Sequence, residues 1–68
     1  MYKVIFLPDT EEFVTTYDTL VEIHNYLELD DALEAGKIAF FSDVQDAYRK
    51  AEEMKLKDYD ITTLEEFY

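Results

Sequence analysis

The stretch Ser42–Leu56, SDVQDAYRKAEEMKL, limits what this chain can fold into more than any other. Val44, Ala47, Tyr48, Ala51 and Met54 recur three and four residues apart, which puts them on one apolar face of an α-helix. That face must be covered, so the rest of the chain has to supply a surface for it. Ser42 followed three residues later by Gln45 is a capping-box pattern, with Asp43 and Asp46 near the start and Lys55 and Lys57 near the end, as the helix dipole favours. Asp46 with Lys50 and Glu53 with Lys57 are opposite charges four apart, expected ion pairs worth about 0.2–0.5 kcal/mol each. The spacing predicts a main helix over about residues 43–56.

The surface for that helix is sought in three apolar segments. Tyr2–Leu7, YKVIFL, is β-branched and aromatic with little polar relief, which predicts a strand covered on both faces. Pro8-Asp9-Thr10 signals a turn, and Phe13–Tyr17 a second strand pairing back on the first. Lys37–Phe41, KIAFF, reads as a third strand and Tyr59–Thr62 as a fourth.

Between them, LVEIHNYLEL fits two templates. Leu20, Ile23 and Leu27 line a helix face with His24 at its edge, whereas Val21, Ile23, Leu27 and Leu29 line one side of a strand. Asp18, Thr19 and Glu22 supply a capping-box start, which favours helix. Leu33 would fall off that face, so the helix is expected to break at Asp30-Asp31 before a short turn, DALEA, closed by Gly36 in a left-handed cap. Thr62 and Glu65 suggest a capped last turn carrying Leu64 and Phe67, or else a strand that continues to the terminus. The expected fold is α+β: one domain over residues 1–68, with a small three- or four-stranded sheet and helices packed on one face.

So short a chain is marginal unless its core is rich in apolar residues. Here 49% of residues are hydrophobic, with a single glycine and a single proline, which is a folding composition. Without cysteine there is no disulfide, thiolate metal site or thiol nucleophile. The longest apolar runs, Val4–Leu7 and Ile38–Phe41, are far too short to span a membrane, and no signal-peptide pattern opens the chain. A cytoplasmic protein without membrane contact is expected.

The charge is lopsided as well as large: 17 acidic and 6 basic residues give −11. Residues 1–36 carry −8, residues 37–57 carry +1 and residues 58–68 carry −4. Such a chain repels nucleic acid directly and is steered towards basic partners.

No enzyme motif accompanies this charge. His24 is the only histidine and lacks a nucleophile partner, and Ser42 is the only serine. His24 is expected to be a partly buried, hydrogen-bonded side chain at a helix edge. Asp30-Asp31 and Asp58-x-Asp60 lack the glycine turn and distal glutamate of a calcium loop, so neither metal nor cofactor is expected. Carboxylate pairs for acid–base chemistry arise by chance among so many acids, and no enzyme activity is expected.

The acids themselves are the candidate site. Asp58 and Asp60, on one strand face, would stand about 6.6 Å apart at ~3.3 Å per residue, and carboxylates three or four apart on a helix roughly 5–6 Å apart. Carboxylates so spaced imitate the charge of a nucleic-acid backbone. Glu11, Glu12, Glu22, Glu28, Asp30, Asp31 and Glu34, with Asp58, Asp60, Glu65 and Glu66, form the candidate array, and Tyr26, Tyr59 and Tyr68 lie among them as aromatic anchors. The bland alternative is an acidic surface kept for solubility, which does not require the bases to be confined to one segment.

In size and charge the chain resembles the small acidic inhibitors encoded by phages and mobile elements. Among these are DNA mimics that occupy nucleoid proteins, nucleases, restriction enzymes or CRISPR effectors. The resemblance implies a non-enzymatic inhibitor of a basic, nucleic-acid-binding protein in the host cytoplasm; it assigns no residue a role. Two other readings stay open: an immunity- or antitoxin-like neutraliser of a basic toxin, and a structural homodimer burying some of Phe40, Phe41, Phe67 and Tyr68.

Overall fold

A computed structural model describes residues 2–68. Four antiparallel strands, β1 (Val4–Leu7), β2 (Glu12–Val14), β3 (Leu20–Glu22) and β4 (Asp60–Thr62), form one sheet in the order β3-β2-β1-β4. Helix α1 (Tyr26–Glu34) follows β3, and helix α2 (Val44–Glu53) precedes β4. A single 3-10 turn, Leu64–Phe67, closes the chain. This is the α+β architecture that the sequence predicts, with α2 as its main helix.

The central strand decides where the layers go. Successive side chains of a strand point to opposite faces, and in β1 both faces are buried. Val4 and Phe6 join Phe13, Val21, Ile23, Leu29, Ala32, Leu64 and Phe67 on one face. Ile5 and Leu7 join Val14, Ala47, Ala51 and Ile61 on the other. The sheet is therefore sandwiched, with α1 and the closing turn on one face and α2 on the opposite face. The expectation of helices on one face is corrected here: each face of β1 is apolar, and each needs its own cover. The small residues Ala47 and Ala51, both fully buried, let α2 lie close against the sheet.

Local chemistry sets the boundaries. Residues 20–29 are neither all helix nor all strand. Thr19, expected to start a helix, is instead part of the tight β2–β3 turn. There the Thr15 hydroxyl accepts from the Tyr17 and Thr19 amides (3.2 and 3.1 Å) and bonds the Thr19 hydroxyl (2.7 Å). Asp18 sits at φ 59° in that turn. The helix begins later, at Asn25, whose Oδ1 accepts from the Glu28 amide at 2.9 Å. Its inward face is Leu29, Ala32 and Leu33, so it runs through Asp30-Asp31 without a break.

Both helices end in Schellman geometry. In α1, Gly36 at φ 68° holds the left-handed position, as expected, and the Lys37 amide donates to the Ala32 carbonyl at 2.9 Å. In α2 a lysine takes that role: Lys55 has φ 56°, and the Leu56 amide donates to the Ala51 carbonyl at 3.0 Å. This stops α2 at Glu53, short of the expected 56. Its N-cap is Asp43 rather than Ser42, accepting from the Gln45 amide at 2.9 Å, and a carboxylate there also complements the dipole. The ion pairs form at three-residue rather than four-residue spacing, Arg49–Asp46 (3.0 Å) and Lys50–Glu53 (3.2 Å).

The expected third strand, Lys37–Phe41, makes only isolated bridges, Thr15↔Ile38 and Lys3↔Phe41. It passes across the end of the sheet, from β2 to the start of β1. Ile38 enters one core, while Ala39 and Phe41 enter the other. This crossing carries the chain from the α1 face to the α2 face. Thr62 belongs to β4 instead of capping the last turn, which starts at Thr63.

Two substitutions test the sandwich. A 68-residue domain has a total stability of about 3–10 kcal/mol. Ile5→Ala, at a position with no exposure, is expected to lose about 2–5 kcal/mol, most of that total. Leu27→Ala, 63% exposed on α1, stays within about 0.5 kcal/mol of the parent. Urea-unfolding midpoints measure both. A third variant, Lys55→Gly, is expected to stabilise by about 0.5–1 kcal/mol, because the left-handed penalty exceeds the entropy that glycine adds.

Candidate functional site

The face that carries α1 is built on three phenylalanines. Phe6 from β1, Phe13 from β2 and Phe67 from the closing turn meet as a triangle, with ring centroids 4.9–5.0 Å apart in tilted and edge-to-face pairs. Such pairs add about 0.5–1.5 kcal/mol each beyond the area they bury. The triangle holds the C-terminal turn against the sheet. Phe67 then borders three hollows: one with Glu11 and His24, one with Asp60 and Glu66, and one with Tyr26 and Tyr68.

Three carboxylates from separate elements gather around His24. Its Nε2 lies 3.2 Å from Glu22 of β3, and its Nδ1 lies 3.5 Å from Glu11 in the β1–β2 turn. Its backbone amide donates to Glu28 of α1 at 2.7 Å. Hydrogen bonds to Glu22 and then Glu11 hold the imidazole above its ordinary pKa of 6.5, with a smaller pull from the Glu28 charge. The expected partly buried histidine is in fact half-exposed, because it caps the sheet end instead of lying on a helix. It also eases a repulsion: Glu12 and Glu22 are directly paired across β2 and β3, where like charges destabilise. The Thr10 hydroxyl, donating to Glu12 at 2.6 Å, occupies the other member.

A second junction ties the C-terminus to α1. The Tyr68 hydroxyl donates to Asp30 Oδ1 at 2.5 Å, and this bond raises the phenol above its ordinary 10.0. Asp30, Asp31 and Glu34 are exposed along α1, and Glu65 and Glu66 along the closing turn. Glu34 is the last residue of α1, which has no basic residue in its last turn, so its charge opposes the helix dipole. Asp60 faces the same side as Phe6, its partner in the β1–β4 register, and shares a hollow with Glu66 and Phe67.

Four candidate residues sit elsewhere or at its edge. Glu12 alternates with Phe13, so it points to the α2 side, half-buried beside its Thr10 bond. Glu22, paired with it across β2 and β3, leaves the sheet on that side too and reaches His24 at the sheet edge. Asp58 precedes β4 in a left-handed turn at φ 52°, so the expected strand row of Asp58 and Asp60 does not form. Tyr59 is half-buried in the α2-side core, edge-on to Tyr48 at 6.3 Å, and only its rim reaches the hollow of Asp60.

Two of the bases are held around α2: Arg49 pairs with Asp46, and Lys50 with Asp18 (3.1 Å) and Glu53. Among the described residues, no lysine or arginine nitrogen lies within 4.0 Å of Glu28, Asp30, Asp31, Glu34, Asp60, Glu65 or Glu66. The exposed apolar surface beside those acids is Tyr26, Leu27 and Tyr68. No helix of the described residues is long and apolar enough to cross a membrane.

Comparison of the chain with protein-family models, curated proteins and solved structures finds no match.

His24 gives the site a direct readout. Its protonated form is favoured by folding, so the stability it contributes is full below pH ~6.5 and is lost as pH rises through the higher folded value. As the only histidine, its ring protons report alone in an NMR titration. The expected midpoint lies above 6.5 at low salt and falls back in about 1 M NaCl, where screening reaches ~3 Å.

Proposed function

We propose that this protein is an acidic protein-binding inhibitor that competes with nucleic acid for a basic protein, without enzymatic activity of its own. One observation carries the reading: acids from α1, β4 and the C-terminal turn lie on the side of Phe67 and Tyr68, and among the described residues no lysine or arginine nitrogen lies within 4.0 Å of them. Charge kept for solubility has no need of such a separation from the bases. Nor does it favour an acid at the C-terminal end of a helix.

The mechanism is occupancy. Carboxylates on this face pair with lysines and arginines that otherwise hold phosphates, and charge-assisted bonds of that kind are roughly twice as strong as neutral ones. Tyr26, Tyr68 and Leu27 exclude water at the centre, where buried aromatic anchors contribute most to binding. A basic DNA-binding protein of the cytoplasm is the partner class that this chemistry fits. A basic toxin held by its own neutraliser would use the same face, and competition with DNA separates the two.

The experiment is capture of partners from a bacterial lysate at low salt, followed by elution in a salt gradient and competition with duplex DNA. A DNA-binding protein released by salt and displaced by duplex supports the mimic; a tight partner indifferent to DNA supports the neutraliser. A self-associating chain that tightens with salt indicates the homodimer instead. Against the captured partner, Asp30→Lys with Asp31→Lys is expected to lower affinity roughly tenfold or more. Glu52→Lys, exposed on α2, is expected to change it by less than about threefold. Equal losses from both variants would overturn the assignment of the face.

A further inference from the structure

Beside His24 lies a hollow of about 160 Å³. Its floor is Phe6, Phe13, Ile23, Leu29 and Phe67, and its rim carries Glu11, His24, Asn25 and Tyr26. The volume equals roughly five water molecules at ~30 Å³ each. That is too small for a drug-sized ligand, whose sites run to about 300 Å³ or more, and it suits one long side chain.

The rim and floor choose the side chain. A purely apolar residue would leave the carboxylate edge unmatched, and an acidic one would be repelled. Arginine combines an apolar stem, a planar head that stacks on aromatic rings, and a fork of donors that matches a carboxylate. Lysine offers only a compact, strongly hydrated point charge.

We infer that this hollow receives a single arginine side chain of the basic partner, its stem on the phenylalanine floor and its guanidinium replacing His24 as counter-ion to Glu11 on the rim. The inference rests on the proposed function and names the part of the face where a partner is anchored.

The replacement follows from what faces His24. Glu11 comes from the β1–β2 turn, Glu22 from β3 and Glu28 from α1; Tyr26 lines the same rim, and the closing turn contributes Phe67, which is uncharged. In the free protein, below the His24 midpoint, the imidazolium holds Glu11 and Glu22. An arriving guanidinium competes for Glu11, so below that midpoint binding favours release of the imidazole proton to solvent. By linkage, affinity then rises with pH up to the histidine's own midpoint, by as much as tenfold per pH unit below it, and is flat above.

The test is an NMR titration of the intact isotope-labelled protein with N-acetyl-arginine methylamide. The matching lysine and citrulline derivatives serve as controls for charge alone and shape alone. The expected result is perturbation of Phe6, Ile23, Leu29 and Phe67 side chains by the arginine derivative, at least threefold stronger than by either control. The His24 midpoint is expected to fall as arginine is added. His24→Gln, at a half-exposed position that spares the core, is expected to bind arginine with no pH dependence between pH 5.5 and 8 (roughly a unit or more either side of the ordinary histidine value). Equal response to lysine, shifts confined to outer acids such as Asp31 and Glu34, or an unmoved His24 midpoint would overturn the inference. Should the protein still capture a DNA-displaceable partner while the hollow stays silent, the inhibitor reading stands and the arginine site falls.

Discussion

Everything in this fold depends on one strand being buried from both sides. β1 lies between β2 and β4, and its consecutive residues Val4 and Ile5 have no exposure at all although they point in opposite directions. A strand of this kind cannot be satisfied by a single helix. It recruits α1 with the C-terminal turn on one face and α2 on the other, and a small chain thereby obtains two cores from one sheet. Most of the apolar residues are committed to that purpose, so the polar remainder of each layer is left free to differ. The two layers then diverge in charge: Arg49 and Lys50 offset two of the three acids of α2, whereas α1 carries four acids and no base.

Much of this was legible in the residues. The burial of β1 on both faces followed from YKVIFL, the α2 stripe from its three-and-four spacing, and the left-handed Gly36 from its lone position after an apolar run. What failed was the helix start. Thr19 reads as a capping residue, but the tertiary use of Thr15 and Thr19 in a tight turn takes it away, and Asn25 caps the helix instead. Similarly, KIAFF has the composition of a strand, but it crosses the sheet end and passes from β2 to β1 after a single bridge to each, too briefly to form a ladder. Lys55 adopts a conformation that composition assigns to glycine, because the bonds from Leu56 and Lys55 back to the helix outweigh its local penalty.

The candidate site was less legible, for a reason specific to its construction. Its acids could be named from composition, but their grouping depends on contacts between distant segments. Glu11 and His24 are thirteen residues apart, and Asp30 and Tyr68 thirty-eight. Glu22 and Glu28, two and four residues from His24, were the only local sign that the histidine would be surrounded by carboxylates. The phenylalanine triangle was invisible in advance, since Phe6, Phe13 and Phe67 converge only after the sheet has formed and the last turn has docked.

The strand order also has a consequence for how copies of this protein behave when crowded. The sheet is open, and its outer strands, β3 and β4, present unpaired backbone groups along one side. Exposed edges of that sort invite strand-to-strand stacking and the growth of fibrils. Here each edge is only three residues long, β3 ends in Glu22 and β4 begins with Asp60. An incoming identical edge would bring carboxylate against carboxylate before it gained many hydrogen bonds. Glu22 and Asp60 thus act as gatekeepers against self-templating on a small open sheet that has neither barrel closure nor an extra covering strand.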